Sequence, residues 1–210
     1  MTTVSVDLLL PVFSDVVDML TLTWSSFRSR ELGPLDGAAA LRRRVHAREK
    51  ELTEGLLAGP ERFRFVPGHL ERVADALEGL VRRQRALAAE NTVFTDGGIR
   101  EIDELFGRSL ELLECTRDLA ITGNQVLARH VEISSMRFQD VATRFAGAHE
   151  QRLIEGVCQP EASSAYLAML DHLRDIARHT RQAAGRLATG RTGPAAARAA
   201  GADRRTLETI

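Results

Sequence analysis

The sequence predicts an all-α fold, in which two tandem three-helix repeats form a six-helix antiparallel bundle. Three observations support this prediction. Helix-forming residues (Leu, Ala, Arg and Glu) dominate the composition, whereas aromatic residues make up only 5% of it. Apolar residues recur at helical spacing over long stretches, and few segments alternate as strands do. Helices of about 25 residues are about 37 Å long, and with short loops they pack as antiparallel bundles.

Turn-forming residues divide the chain into six predicted helices. The strongest breaks are Gly33-Pro34, Gly59-Pro60 and the segment from Thr95 to Gly98. The predicted helices cover approximately 5–30, 35–58, 68–91, 99–130, 132–158 and 162–188. We therefore expect six helices, with the middle of the chain falling between the third and the fourth.

The two halves of the chain match each other at an interval of about 100 residues. The matched pairs are Glu49 with Glu150, Glu54 with Glu155, Leu70 with Leu170, Glu71 with Asp171 and Asp75 with Asp175. This interval is too long for a solenoid and is typical of a duplicated helical unit. The pattern predicts a first three-helix repeat over 1–95, a second over 96–188, and a flexible basic tail over 189–210.

Charge and cysteine content exclude several classes of protein. The formal net charge of −1 provides no basic field for nucleic acid. Acidic residues interrupt the apolar N-terminal segment, which also lacks a basic start, so we expect neither a membrane span nor a signal peptide. Cys115 and Cys158 are too few for a disulfide framework and favour free thiols in the cytoplasm.

Two pairs of carboxylates are the candidate metal site. Glu71 and Asp75 are four residues apart on the third predicted helix, as are Asp171 and Asp175 on the sixth. Each pair lies on one helix face with a rise of about 6 Å, and like charges at this spacing repel unless a cation joins them. Carboxylate oxygens suit magnesium, manganese, calcium or iron. The alternative interpretation is two ordinary solvated helix faces.

Other polar residues could extend these pairs. Glu78 continues the first acidic stripe, and His179 continues the second. Four further glutamates lie at matched positions of the second and fifth helices: Glu49, Glu54, Glu150 and Glu155. The sequence leaves open whether any of these residues joins a site.

The acidic segments resemble a known family. The segment from His69 to Leu77 (HLERVADAL) resembles the signature on the third helix of each repeat in PhoU-like proteins, which regulate phosphate uptake. The segment from Leu170 to Ala177 (LDHLRDIA) resembles a looser second copy. The resemblance extends over approximately 5–185. It implies two three-helix bundles joined into one six-helix domain.

The resemblance also implies a function. PhoU-like proteins act in the cytoplasm, as regulators between a phosphate transporter and a sensor kinase, and carry metal at their acidic motifs. By this resemblance Glu71, Asp75, Asp171 and Asp175 would bind iron, manganese, magnesium or zinc. Gly79 and His179 stand where the family often has asparagine, and Arg82 and Gln182 replace a further family acid. These departures from the family pattern argue against a full metal cluster.

Enzyme activity is not expected. None of the six histidines has an acidic residue three positions earlier, as di-iron carboxylate enzymes require, and the only lysine, Lys50, is not part of a P-loop. We predict a non-enzymatic regulator with no organic cofactor, bound to a phosphate transporter or sensor kinase. Such a protein would be peripheral to the membrane at most. The sequence leaves open whether it forms a homodimer. The alternative is a metal-free helical adaptor bundle that works through protein–protein contacts.

Overall fold

A computed structural model describes residues 2–56 and 60–189 and confirms the all-α bundle. The helices are α1 (Thr2–Ser29), α2 (Gly33–Leu56), the single-turn α3 (Glu61–Arg64), α4 (Val66–Ala89), α5 (Asp96–Thr122), α6 (Gln125–Ile154) and α7 (Pro160–Thr189). The described residues contain no β-strand. Apart from Thr189, the predicted basic tail lies outside the described residues.

One predicted boundary is wrong, because the break between the fourth and fifth predicted helices comes earlier than 130–132. α5 ends at Thr122, and its C-cap residue Gly123 has a left-handed φ of 62° and donates its N–H to the Leu119 carbonyl at 2.8 Å. Asn124 then caps α6, since its side-chain oxygen accepts from the Val126 N–H at 2.9 Å. α3 is an addition to the prediction, and its Phe63 is buried.

The six long helices pack as two groups of three. In the first group α1, α2 and α4 contact one another, and in the second α5, α6 and α7 do the same. The groups join where α1 meets α5 and where α4 meets α7. Residues at equivalent places are buried in both groups: Phe13 and Phe106, and Leu70 and Leu170, are each fully buried. This packing forms one continuous core.

The seam between α4 and α7 determines where the acidic motifs lie. Phe65 contacts Arg186, His69 contacts His179, and Gly79 contacts His172, so the two helices run in opposite directions. Both motifs therefore lie near the middle of the seam, at similar levels. No helix in the described part of the chain is long and apolar enough to span a membrane.

Candidate functional site

The first acidic pair faces α2, where it meets an arginine. The Arg42 guanidinium donates a short hydrogen bond to Asp75. The same Nη2 atom lies 3.8 Å from Glu71 Oε1, and Arg42 Nε lies 3.8 Å from Glu78 Oε2. The Arg42 side chain is only 16% exposed. One largely buried guanidinium from the neighbouring helix is therefore shared by three carboxylates of α4.

Each of these three carboxylates has a second positive or polarisable partner. His46 Nδ1 lies 2.5 Å from Glu71 Oε1. Two arginines of α4 itself complete the set, since Arg72 lies 3.7 Å from Asp75 and Arg82 lies 3.5 Å from Glu78. The first acidic motif is thus paired on both sides by residues of its own half.

The second acidic pair is paired within its own helix. Arg174 lies 3.2 Å from Asp171, and Arg178 lies 2.7 Å from Asp175, each at i,i+3 spacing. The Asp171 side chain is 71% exposed. Exposed ion pairs of this kind contribute about 0–1 kcal/mol each, because water screens them.

A groove between α6 and α7 lies beside the second pair. It has a volume of about 420 Å³ and is lined by residues that include Ser135, Arg174, Asp175, Arg178 and Arg181. The Ser135 hydroxyl is buried and has no hydrogen-bond partner among the described residues. The two acidic pairs therefore face different surroundings, since Asp75 contacts α2 while Asp175 lines this groove. The structure does not bring the two pairs together.

The four additional glutamates do not join the acidic motifs. They are Glu49, Glu54, Glu150 and Glu155. Glu49 accepts a hydrogen bond from Thr53 at 2.8 Å, and Glu155 accepts one from Gln151 at 2.7 Å, in each case from a residue four positions away. The other two glutamates are exposed.

His179 lies in the α4–α7 seam. Its ring centroid is 5.9 Å from that of His69. Burial lowers the pKa of both imidazoles, and in each case a neighbouring arginine lowers that pKa further. The Nδ1 atom of His179 is buried without a partner in the described part of the chain. His179 is thus a seam residue, and its contact is a histidine of the other half.

Asp15 forms a buried ion pair that sequence reasoning missed. Its side chain is only 4% exposed, and it accepts hydrogen bonds from two arginines of α2. Arg44 Nε lies 3.0 Å from one Asp15 oxygen, and Arg48 Nη1 donates to Asp15 at 2.7 Å. The signal was present in the sequence, because Asp15 interrupts an otherwise apolar helix.

The second half contains a comparable buried carboxylate, Glu101 of α5. Arg152 of α6 donates two parallel hydrogen bonds to Glu101, at 2.8 and 2.6 Å, and the Tyr166 hydroxyl donates a third at 2.5 Å. Burial, followed by the hydrogen bond to Glu101, raises the pKa of Tyr166. Each half thus holds one largely buried carboxylate on its first helix, paired with arginine on its second helix.

A buried histidine, serine and cysteine meet near the start of α7. His149 Nε2 lies 2.8 Å from the Ser163 hydroxyl, His149 Nδ1 lies 3.8 Å from the Cys158 sulfur, and the imidazole stacks on Tyr166. Burial lowers the pKa of His149. The adjoining cavity is only about 20 Å³, which is room for roughly one water molecule and none for a substrate. We therefore interpret this cluster as part of the core.

As arranged, the acidic motifs do not fit a metal ion. Arg42 lies where Glu71 and Asp75 converge, so a cation would have to displace the guanidinium. In the second half the carboxylates hold their own arginines. Across residues 2–56 and 60–189, no group of three or more His, Cys, Asp or Glu side chains is placed to hold a metal. Metal at Glu71, Asp75, Asp171 and Asp175 stays a prediction.

The fold of this chain is similar to that of solved PhoU structures. The structure of PhoU from Pseudomonas aeruginosa superposes with a TM-score of 0.78 and 16% identity, over 86% of this chain and 92% of that one. The phosphate transport system regulatory protein PhoU from Streptococcus pneumoniae gives a TM-score of 0.79 and 15% identity, over 91% of this chain and 95% of that one. The chain has the PhoU fold. The resemblance expected from the acidic segments is thereby confirmed for the architecture.

Sequence comparison adds one curated relative. YjbB, a candidate inorganic phosphate export protein of Salmonella typhimurium, is 29% identical over 111 residues, which is 51% of this chain. The match covers only 20% of the length of YjbB, so about half of this chain corresponds to about a fifth of that protein. No family model matches the sequence. The activity of YjbB as a whole therefore does not carry over to this chain by this match.

Proposed function

We propose that this protein is a non-enzymatic regulator of phosphate uptake or phosphate signalling. It would act in the cytoplasm by binding a phosphate transporter or a sensor kinase. The observation that carries the proposal is the PhoU fold, which extends over 86% and 91% of the chain in two comparisons. The similarity to a candidate phosphate export protein also supports a role connected with phosphate transport.

The site geometry favours a regulator that works through protein contacts without a metal. Arg42 already supplies a positive charge to the carboxylates of α4, and arginines of α7 do so for the second motif. A second candidate is the metal-dependent form of the same regulator. It is favoured by the equivalent positions of the acid pairs Glu71/Asp75 and Asp171/Asp175 on α4 and α7.

The proposed role is tested in cells that naturally make the protein. Deleting its gene should change the initial rate of radiolabelled phosphate uptake, or the response of transcription to phosphate, and the full chain should restore both. A charge-reversed variant, Arg178→Glu with Arg181→Glu, tests whether the groove between α6 and α7 binds the partner, and we expect it to restore uptake less than the full chain does. Arg108→Glu is the matched control, because Arg108 forms an exposed pair within α5. Unchanged uptake and unchanged transcription in the deletion strain would refute the role.

The metal question has its own experiment. Elemental analysis is made of the protein purified without added metal, beside the variant Glu71→Ala, Asp75→Ala, Asp171→Ala, Asp175→Ala. Stoichiometric iron, manganese or zinc in the first sample, lost in the second, would support the metal-dependent form. Absence of metal from both, with a thermal midpoint unaffected by Mn²⁺ and by chelator, would support the metal-free form.

A further inference from the structure

A cavity of about 400 Å³ lies at the end of the bundle where α1 and α4 end and α5 begins. This volume is within the range of about 300–1,000 Å³ typical of small-molecule sites. The cavity is away from the acidic motifs, which lie near the middle of α4 and α7. Its apolar lining includes Phe27, Leu87, Phe94 and Ile99. An apolar molecular body would thus find contacts from three helices and the α4–α5 connection.

The formally charged residues that line the cavity in the described chain are all positive. Arg28 and Arg30 line it, and no carboxylate is among its described lining residues. Arg28 is already compensated, because its Nε lies 3.0 Å from Asp103 and its guanidinium lies over the Trp24 ring at 4.8 Å. Arg30 has no ion-pair partner in residues 2–56 and 60–189. The cavity therefore presents one uncompensated cation beside an apolar surface.

The backbone at the cavity is also unusual. Arg30 and Asn91 are the two non-glycine residues with positive φ in the described chain, at 61° and 49°, and both line this cavity. Each follows a helix C-terminus, where glycine or asparagine is the common choice. An arginine at such a position is held at a conformational cost. Two helix C-termini bring partial negative charge to the cavity, and the α5 N-terminus brings partial positive charge. Because these partial charges oppose one another, the formal charges of the arginines dominate the electrostatic potential there.

We propose that this cavity binds a small amphipathic anion, namely an aromatic carboxylate or sulfonate. Its apolar part would lie against Phe27, Leu87 and Phe94, and its anionic group would contact Arg30. This binding is independent of the regulatory role proposed above. It would give the protein a ligand-responsive end, next to the connection between its two halves.

The test uses the full chain and the fluorescent aromatic sulfonate 8-anilinonaphthalene-1-sulfonate. The wild-type protein should bind it saturably at one site, and phenylacetate or indole-3-acetate should compete. Trp24 is the only tryptophan, and Arg28 joins its ring to the cavity wall, so binding should also alter Trp24 fluorescence. Energy transfer from Trp24 to the dye then reports the location of the site.

Two variants separate the proposed site from general dye binding. Arg30→Gln should weaken the anionic dye by about five- to tenfold, the order expected for loss of a charge-assisted hydrogen bond at an exposed position. It should leave uncharged N-phenyl-1-naphthylamine unaffected. Ala88→Trp, at an exposed lining residue, should fill the cavity and remove both dyes. Arg85→Gln, one turn away on α4 and outside the lining, is the matched control and should bind like wild type.

The outcomes decide the proposal directly. Saturable binding that falls in Arg30→Gln and in Ala88→Trp, but not in Arg85→Gln, supports it. Binding that does not saturate, or that is equal in all four proteins, overturns it. Arg30 is exposed, so Arg30→Gln should fold normally. Circular dichroism checks this point, and the result then stands even if Ala88→Trp fails to fold.

Discussion

The two halves of the bundle share one architecture but neutralise their acidic motifs differently. In the first half the positive charge comes from another helix, because Arg42 of α2 reaches Glu71 and Asp75 of α4. In the second half it comes from the same helix, through i,i+3 pairs of Asp171 and Asp175 with arginines of α7. The position of Arg42 corresponds to Thr143, at the interval of 101 that relates α2 to α6. The carboxylates of the first half therefore contact another helix directly, whereas in the second half the link to α6 runs through Arg174, whose Nη2 lies 3.3 Å from Thr143 Oγ1.

The buried ion pairs extend this comparison. Asp15 is shared by two arginines whose side chains are 52% and 36% exposed, so water still reaches their charges. Glu101 has a single arginine, and the side chains of Glu101 and Arg152 are only 13% and 19% exposed. In the first half, the buried carboxylate of Asp15 is thus paired with two arginines. In the second half, the carboxylate of Glu101 is paired with only one. Loss of a partner should be tolerated better in the first half.

The largest expected effect is that of Arg152→Ala. It leaves Glu101 largely buried with only the Tyr166 hydroxyl as donor, and we expect a loss of about 2–4 kcal/mol in the free energy of unfolding. Urea denaturation monitored by circular dichroism measures it. Adding Glu101→Gln should recover part of the loss, because no uncompensated charge then stays buried. Arg44→Ala should cost clearly less, about 1 kcal/mol or below, since Asp15 keeps Arg48. Equal losses of unfolding free energy in Arg152→Ala and Arg44→Ala would refute the predicted difference between the two halves.

The seam between the halves gives the next effect. A Cβ atom at Gly79 would lie 2.3–2.7 Å from three atoms of the His172 ring, so a side chain there forces α4 and α7 apart or displaces the histidine. We expect Gly79→Ala to cost about 1–3 kcal/mol. Gly68, on the same helix, has nothing within 4 Å of such a Cβ, so Gly68→Ala should be neutral or stabilising by up to about 1 kcal/mol. Similar midpoints for the two variants would exclude the close approach.

The acidic motifs themselves provide a direct test of the comparison. Arg42→Met removes the charge shared by three α4 carboxylates and should cost about 1–2 kcal/mol in unfolding free energy. Arg174→Met removes an i,i+3 pair with the exposed Asp171 and a 3.3 Å contact with Thr143 of α6, and it should cost about 1 kcal/mol or less. The two variants make the same substitution, one in each half. If Arg174→Met proved the more damaging, the contact of Arg174 with Thr143 of α6 would matter more than the charge that Arg42 shares among three carboxylates.

Sequence patterns were sufficient for the fold but not for the partners of its charges. The apolar period and the turn residues predicted the number and order of the long helices, because burial of one helix face is a local property of the sequence. They failed at Gly123-Asn124, where the apolar period continues through Val126, Leu127 and Val131 and conceals a left-handed glycine followed by a capping asparagine. The meeting of Arg42 with Glu71 depends on how α2 and α4 rotate about their axes, which no short-range pattern encodes.

The smallest expected effect concerns the histidines of the α4–α7 seam. Burial lowers the pKa of His69, His172 and His179 from its ordinary value near 6.5. The unfolded chain therefore binds more protons than the folded one once the pH falls below about 6.5. Stability should be fully present above that pH and should decline as the pH falls through the lowered pKa values.

Chemical denaturation at pH 7.5 and 5.5 measures this decline. The double variant His69→Gln, His179→Gln should lose less stability between the two pH values than wild type, although it can be less stable at both. His130→Gln is the control, because His130 is exposed beside Glu111 on the outer surface. A decline as steep in the double variant as in wild type would show that His69 and His179 do not cause the acid sensitivity.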